Sequence, residues 1–227
     1  MKLLSAIFDF ILPRFCPSCQ KKLTLDEKLI CENCRKTFVY TNEKLLHYEY
    51  GRKFSGSNII SDFYSLVVFE KDSPIQHVIH HIKYRKKFLL AVELGKMLGT
   101  SLLKNKVEWK IDVILPVPLH SLKKAERGFN QSFYIAKGIC KVTNLPVSQS
   151  ILKRKRYTES QTKKNLIERA ENMSDAFAVR HADKVKGKNI LLIDDVITTG
   201  ATIRECGKIL QGCGAANIYA ASIALAE

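Results

Sequence analysis

Ile190-Leu191-Leu192-Ile193-Asp194-Asp195-Val196-Ile197-Thr198-Thr199-Gly200-Ala201-Thr202 is the stretch that decides the fold. Its four leading apolar residues read as a strand buried on both faces. That strand delivers two adjacent carboxylates to the sheet edge, and a loop of small and hydroxylated residues follows. From Thr202 to Cys213 the apolar residues recur at helical spacing. In such a strand–loop–helix unit, Gly200 lets the backbone approach a ligand closely. Backbone N–H groups at the helix start, with the hydroxyls of Thr198, Thr199 and Thr202, make an anion site, and Val196 and Ala201 complete the candidate set. Asp194 and Asp195 would repel a phosphate there unless they hold vicinal hydroxyls or a hydrated Mg²⁺. A sugar phosphate fits that requirement better than a nucleoside triphosphate. No Lys follows the Gly, as a Walker A loop requires. The alternative is an ordinary strand-to-helix turn capped by threonines.

Outward from this stretch the chain alternates. Asp62 to Glu70 reads as a strand, and Ile75 to Lys83 and Leu89 to Leu103 as helices. Asp112 to Val117 is a short strand stopped by Pro116 and Pro118. Asn130 to Val142 reads as a helix and Asn217 to Leu225 as a last strand, while Lys153 to Asn172 is charged and unassigned. Alternating strands and helices predict an α/β fold, a mainly parallel sheet flanked by helices. Ligands of such sheets bind beyond the carboxyl ends of the strands. Gly51, Ser55, Gly56 and Ser57 cluster between Thr41 and Ser61. We expect the boundary there, with an N-terminal module over residues 1–50 and the α/β domain over residues 51–227.

The chain has 227 residues, of which 46% are hydrophobic and 26% charged. Those values exclude a disordered chain, a collagen-like repeat and a disulfide miniprotein. No apolar run approaches the ~20 residues of a membrane-spanning helix. The net charge of +15 is uneven: residues 81–169 hold 20 basic and 6 acidic side chains, a net +14. Lys83, Arg85, Lys86, Lys87, Lys153, Arg154, Lys155 and Arg156 are interleaved with Tyr84, Phe88, Phe129 and Tyr157. Cations that follow a backbone and aromatics that stack bases are what single-stranded DNA binding requires. A solvated basic surface is the plainer reading.

The N-terminus, Met1 to Phe15, carries apolar residues interrupted by Asp9 and no small-x-small cleavage site. It reads as an amphipathic helix folded onto the body, with peripheral membrane contact as the alternative. Next come Cys16-x2-Cys19 and, after eleven residues, Cys31-x2-Cys34. Two such knuckles place four thiolates around one Zn²⁺. All four ligands are cysteine, so the site is closed and structural. Two disulfides are the alternative, and they need an oxidising compartment; without a secretion signal we expect a cytoplasmic protein, or one at the inner face of the membrane. Cys140, Cys206 and Cys213 fall on apolar helix faces and read as packing residues.

The motif from Ile190 to Thr202 resembles the phosphoribosyl pyrophosphate (PRPP) signature of type I phosphoribosyltransferases. In order along the chain come Cys16–Cys34, His81-Ile82-Lys83-Tyr84, Leu115-Pro116-Val117-Pro118-Leu119-His120, Arg127-Gly128-Phe129-Asn130-Gln131 and that signature. Together they resemble the ComF family of competence-associated proteins. The resemblance implies a zinc-finger module joined to a type I phosphoribosyltransferase fold, and a role in DNA uptake beside other uptake proteins. It implies that Asp194 and Asp195 hold the ribose hydroxyls and that Thr198 to Thr202 take the 5-phosphate. It also implies that Val117, Pro118, Leu119 and His120 take pyrophosphate with Mg²⁺, with Arg127 as a cationic partner. A flexible catalytic loop is expected within Arg154 to Arg169. The reaction would displace pyrophosphate at the anomeric carbon, with Asp194, Asp195 and Arg127 as the catalytic set. A conventional transferase making a nucleotide, or a non-catalytic scaffold, are the alternatives.

Overall fold

The computed structural model of the protein describes residues 12–155 and 176–226. Four parallel strands form the central sheet: β1 (Asp62–Val68), β2 (Val113–Pro116), β5 (Asn189–Ile197) and β6 (Asn217–Leu225). Their order is β1-β6-β5-β2, and every pairing is parallel. β5 and β6 are buried along most of their length, because helices cover both faces and no face is left for water. A two-stranded antiparallel sheet, β3 (Leu152–Arg154) and β4 (Phe177–Val179), stands apart.

The helices are α1 (Glu32–Lys36), α2 (Glu43–Lys53), α3 (Pro74–Tyr84), α4 (Phe88–Asn105), α5 (Ser121–Arg127), α6 (Gln131–Thr143) and α7 (Ala201–Gly212). Their starts follow from capping. Asn42 accepts from Leu45 N–H, Ser73 from Gln76 N–H ahead of Pro74, and Asn130 from Ser132 N–H. α4 and α6 cross in near-backbone contact, which needs glycine. A Cβ on Gly138 would stand 2.1 Å from the Val92 carbonyl oxygen.

The sequence reading of β1, α3, α4, β2, α6 and β6 agrees with these elements to within two residues at each end. β5 runs further than its apolar core, through Asp194 and Asp195 to Ile197, because β6 keeps pairing with it: Asp194 lies opposite Ser222 and Ile197 opposite Leu225. α2 and α5 have no apolar periodicity strong enough to announce them. Gly51 lies inside α2, and Leu46 of that helix joins the main core. Cys206 is fully buried, whereas Cys140 and Cys213 are only partly so. Residues 1–11 and 156–175, where the amphipathic N-terminal helix, Arg156, Tyr157 and most of the expected catalytic loop fall, lie outside the described residues.

Candidate functional site

The parallel register sets the crevice. β2 lies beside β5 with Pro116 opposite Ile193, so the two chains leave the sheet side by side. Val117 continues the pairing by donating its N–H to the Ile193 carbonyl at 2.8 Å. Asn130 Nδ2 donates to the Val117 carbonyl at 2.9 Å, fixing the start of the Val117–His120 turn next to the start of α6. His120 then caps α5. The expected pyrophosphate turn and the acidic pair are thus neighbours at the carboxyl ends of adjacent strands.

Each carboxylate of the pair has its own partners. Ser132 Oγ on α6 donates to Asp194 Oδ1 at 3.2 Å, and the Asp195 N–H donates to the same oxygen at 2.8 Å. Asp195 is buried and forms an ion pair with Lys83 Nζ of α3 at 2.8 Å. Desolvation first, and then the neighbouring Asp195 charge, push Asp194 up to about 7; the Asp195 N–H, Lys83 and Ser132 only partly offset them. A carboxyl held at that value is one that a cation, or hydroxyl donors, would return to its ionised form.

Past Ile197 the chain curls around a hollow of about 30 Å³ lined by Asp194, Thr198, Thr199, Gly200, Ala201 and Thr202 among others. Gly200 has φ of +73° and precedes α7 without offering a side-chain cap. A loop of this kind, leading into an uncapped helix start, binds anions.

Cations converge on the same place from three elements: Lys83 (α3), Lys123 and Arg127 (α5), and Arg154 (β3). Burial lowers the Lys123 pKa, and Arg127, Arg154 and Lys83 lower it further against Glu126, so those three cations lie within electrostatic reach of Lys123. Arg154 feels the Asp194 charge as well and lies over the Phe177 ring at 5.2 Å. The arrangement can receive a polyanion against cations while presenting two carboxylates to hydroxyls or a divalent ion.

The residues expected to contact nucleic acid divide accordingly. Lys83 and Arg154 turn into the crevice. Tyr84, Arg85, Lys86 and Lys87 lie exposed at the turn between α3 and α4. Tyr84 meets His80 in a tilted ring contact at 4.7 Å, and the Arg127 guanidinium lies over the Tyr84 ring at 5.5 Å. Lys153 is exposed on β3, and Lys155 donates its N–H to the Ala176 carbonyl. To Phe88, already named from the sequence, the structure adds Phe133, Tyr134 and Lys137 of α6, which sequence reasoning passed over. Phe88 meets Tyr134 at 5.1 Å, Phe133 meets Tyr134 at 5.5 Å, and Lys137 lies 4.8 Å over Phe133.

The four cysteines form a second cluster. Their Sγ atoms all lie within 4.8 Å of one another, with Cys19 and Cys31 at 3.6 Å. A tetrahedron with ~2.3 Å metal–sulfur bonds has edges of ~3.8 Å, so the spacing suits Zn²⁺. Burial pushes Cys34 up to about 12, and the Cys31 and Cys19 sulfurs push the same way, although Ser18 opposes them. Four thiolates need a cation between them to coexist there.

The profile of the phosphoribosyl transferase domain family matches residues 92–226, more than half of the chain. Competence protein F of Haemophilus influenzae is 24% identical over 221 residues, covering 93% of this chain and 96% of that protein. Competence protein ComFC of Bacillus subtilis is 33% identical over 104 residues, 46% of this chain and 40% of that one. The chain belongs to the ComF family and carries a phosphoribosyl transferase domain. Among solved structures, the glutamine PRPP amidotransferase of B. subtilis aligns with a TM-score of 0.39 at 21% identity, over 57% of this chain and 25% of that one. In this ComF-family chain, the cysteine cluster, α2 and Lys83 all precede the matched residues 92–226. Yet Lys83 supplies the ion-pair partner of Asp195, so the crevice is completed from outside the matched residues.

Proposed function

We propose that the protein binds PRPP with Mg²⁺ in the crevice beyond β2 and β5, and single-stranded DNA on the adjoining basic surface, in the handling of DNA taken up during natural transformation. One observation carries the first part. Two carboxylates near the carboxyl end of a buried strand precede a glycine-hinged loop at a helix N-terminus, with Lys83 and Arg154 beside them and Lys123 and Arg127 close to those cations. That combination matches a sugar bearing a phosphate at one end and a pyrophosphate at the other. The Thr198–Thr202 loop takes the 5-phosphate, Asp194 and Asp195 take the ribose hydroxyls, and the Val117–His120 turn with the cations takes the pyrophosphate. Mg²⁺, when bound, neutralises the pyrophosphate oxygens. Should glycosyl transfer occur, the bond from the anomeric carbon to pyrophosphate breaks as one to the acceptor forms. Positioning and leaving-group stabilisation then supply the catalysis.

The DNA reading is supported by the exposed Tyr84–Lys87 turn, the Phe88–Tyr134–Phe133 cluster with Lys137 upon it, and the competence names of the relatives. The cysteine cluster holds one structural Zn²⁺ in this account, and the N-terminal module it organises stands beside the transferase domain. A conventional nucleotide-forming transferase is the second reading, favoured by the number of ionised groups retained in the crevice. Calorimetry with PRPP–Mg²⁺ and with a single-stranded oligonucleotide, separately and together, tests the proposal. Binding of both is expected, with DNA affinity falling steeply as salt rises. PRPP binding and pyrophosphate release with no DNA binding would return the protein to the conventional class.

A further inference from the structure

The Thr198–Thr202 loop does not stand on its own strand and helix alone. Its far side is occupied by the C-terminal end of α2, a helix that precedes the matched phosphoribosyl transferase residues 92–226. Arg204, in the first turn of α7, donates from one guanidinium nitrogen to two carbonyls: that of Thr199 at 2.9 Å and that of Lys53 in α2. Phe54, which follows α2 and is 1% exposed, lies against Gly200. A Cβ added at Gly200 would stand 2.7 Å from its ring. The end of α2 is itself tied down. Lys53, buried, pairs with the buried Glu49 at 2.5 Å and donates to the Ala226 carbonyl at 3.0 Å. Ala226 in turn donates its N–H to the Ile197 carbonyl, the last residue of β5 before the loop. Phe54 is further anchored on Phe63 of β1 at 5.3 Å.

We infer that Arg204 is a positioning residue for the sugar-phosphate loop, and that α2 is the abutment against which it holds that loop in its binding shape. The inference rests on the proposed reading of the crevice as a PRPP site. The physical basis is preorganisation. A glycine-hinged loop left to itself samples many backbone states, and a ligand that needs one of them loses affinity in proportion. A guanidinium spanning the loop and a buried helix end removes that freedom before the ligand arrives. The contact uses carbonyls, which every residue has, so its information lies in Arg204 and in the placement of α2 rather than in any motif of the loop.

The test compares wild type, Arg204→Met and Arg204→Lys. It uses amide hydrogen exchange of the ligand-free full chain and PRPP–Mg²⁺ calorimetry, with thermal unfolding as the fold check. Arg204→Met should speed exchange in residues 198–202 and weaken PRPP binding roughly tenfold or more, the value of a charge-assisted hydrogen bond. Arg204→Lys should recover part of both, since an ammonium can still donate to a carbonyl. Phe54→Leu, which leaves Arg204 in place but withdraws the ring from Gly200, should show the same pattern more weakly, and it stands in if Arg204→Met does not fold. Exchange and affinity unchanged in Arg204→Met would overturn the inference. Faster loop exchange in Arg204→Met, in a protein whose wild type does not bind PRPP, would leave the brace standing and remove the PRPP reading instead.

Discussion

Among the described residues, Leu23 is the only buried apolar residue clustered with the four cysteines, with Ile30 partly buried beside it. Behind Asp194 and Asp195 stand Ile190 to Ile193, Ile114, Leu115, Ala220 and Ala221, all inaccessible to solvent. Both regions hold groups that repel one another when ionised, four cysteine sulfurs in one case and two carboxyls in the other. The crevice does so on a framework: a sheet buried on both faces carries the carboxylates. Among the described residues, the cysteine module has too little apolar surface to fold on that basis. With the proposed Zn²⁺, its geometry would depend on a cation, whereas the crevice is carried on the buried sheet. Disturbance should be global within the small module and local within the large one.

The largest effect should follow Cys31→Ser. Structural zinc contributes ~10–16 kcal/mol to folding of such small modules, so losing one ligand should release the metal and unfold residues 16–34. Metal analysis should find one Zn²⁺ per chain in wild type and none in the variant, while the sheet keeps its hydrogen-exchange protection. Full protection of the module in strong chelator would erase the contrast.

Gly200→Val comes next, and it attacks the crevice where it is least compliant. A β-branched residue at φ of +73° is strained by ~1–3 kcal/mol, and its Cβ would collide with Phe54. We expect a lowered Tm and loss of PRPP binding, with zinc content unchanged. A variant that binds PRPP as wild type does would mean the loop is not the phosphate site.

A smaller effect separates burial from framework. Asp194 is raised from 3.8 to about 7. Between those values the folded chain keeps a proton that the unfolded chain has released, so this residue makes stability fall as pH rises through the window. Below the lower value it contributes nothing, and above the upper value the penalty is complete. Asp194→Asn, which can still accept from Ser132, should therefore match wild type in acid and become the more stable protein at pH 8. Parallel stability curves for the two proteins across that range would show that the carboxyl is not desolvated. The smallest effects belong to the surface. Tyr84→Ala should weaken single-stranded DNA binding by about 1–3 kcal/mol with little change in salt dependence. Lys86→Gln with Lys87→Gln should instead lower the log–log salt slope by roughly 0.7 each. Identical behaviour of the two variants would show that neither stacking nor phosphate contact occurs at this turn.

Much of the sheet was legible because its strands are buried on both faces and so read as unbroken apolar runs. The turn after β5 was legible because hydroxylated residues, a glycine and then helical spacing follow the strand in that order. α2 was not, since its buried Glu49 and Lys53 satisfy each other and look in sequence like a solvated face. The allocation of Lys83 and Arg154 to the crevice was equally hidden, because a basic run does not reveal which of its members turn inward. Arg204 carried no signal at all: its partners are backbone carbonyls 151 and 5 residues away.

The central claim is that the acidic pair and the loop it leads into form a Mg²⁺-dependent PRPP site. Titration calorimetry of wild type and of the Asp194→Ala, Asp195→Ala double variant with PRPP, with and without Mg²⁺, tests it most directly. The account predicts saturable binding in wild type only with Mg²⁺, and none in the double variant, at unchanged zinc content and retained cooperative unfolding. Equal binding by both proteins would place the ligand elsewhere and contradict the account.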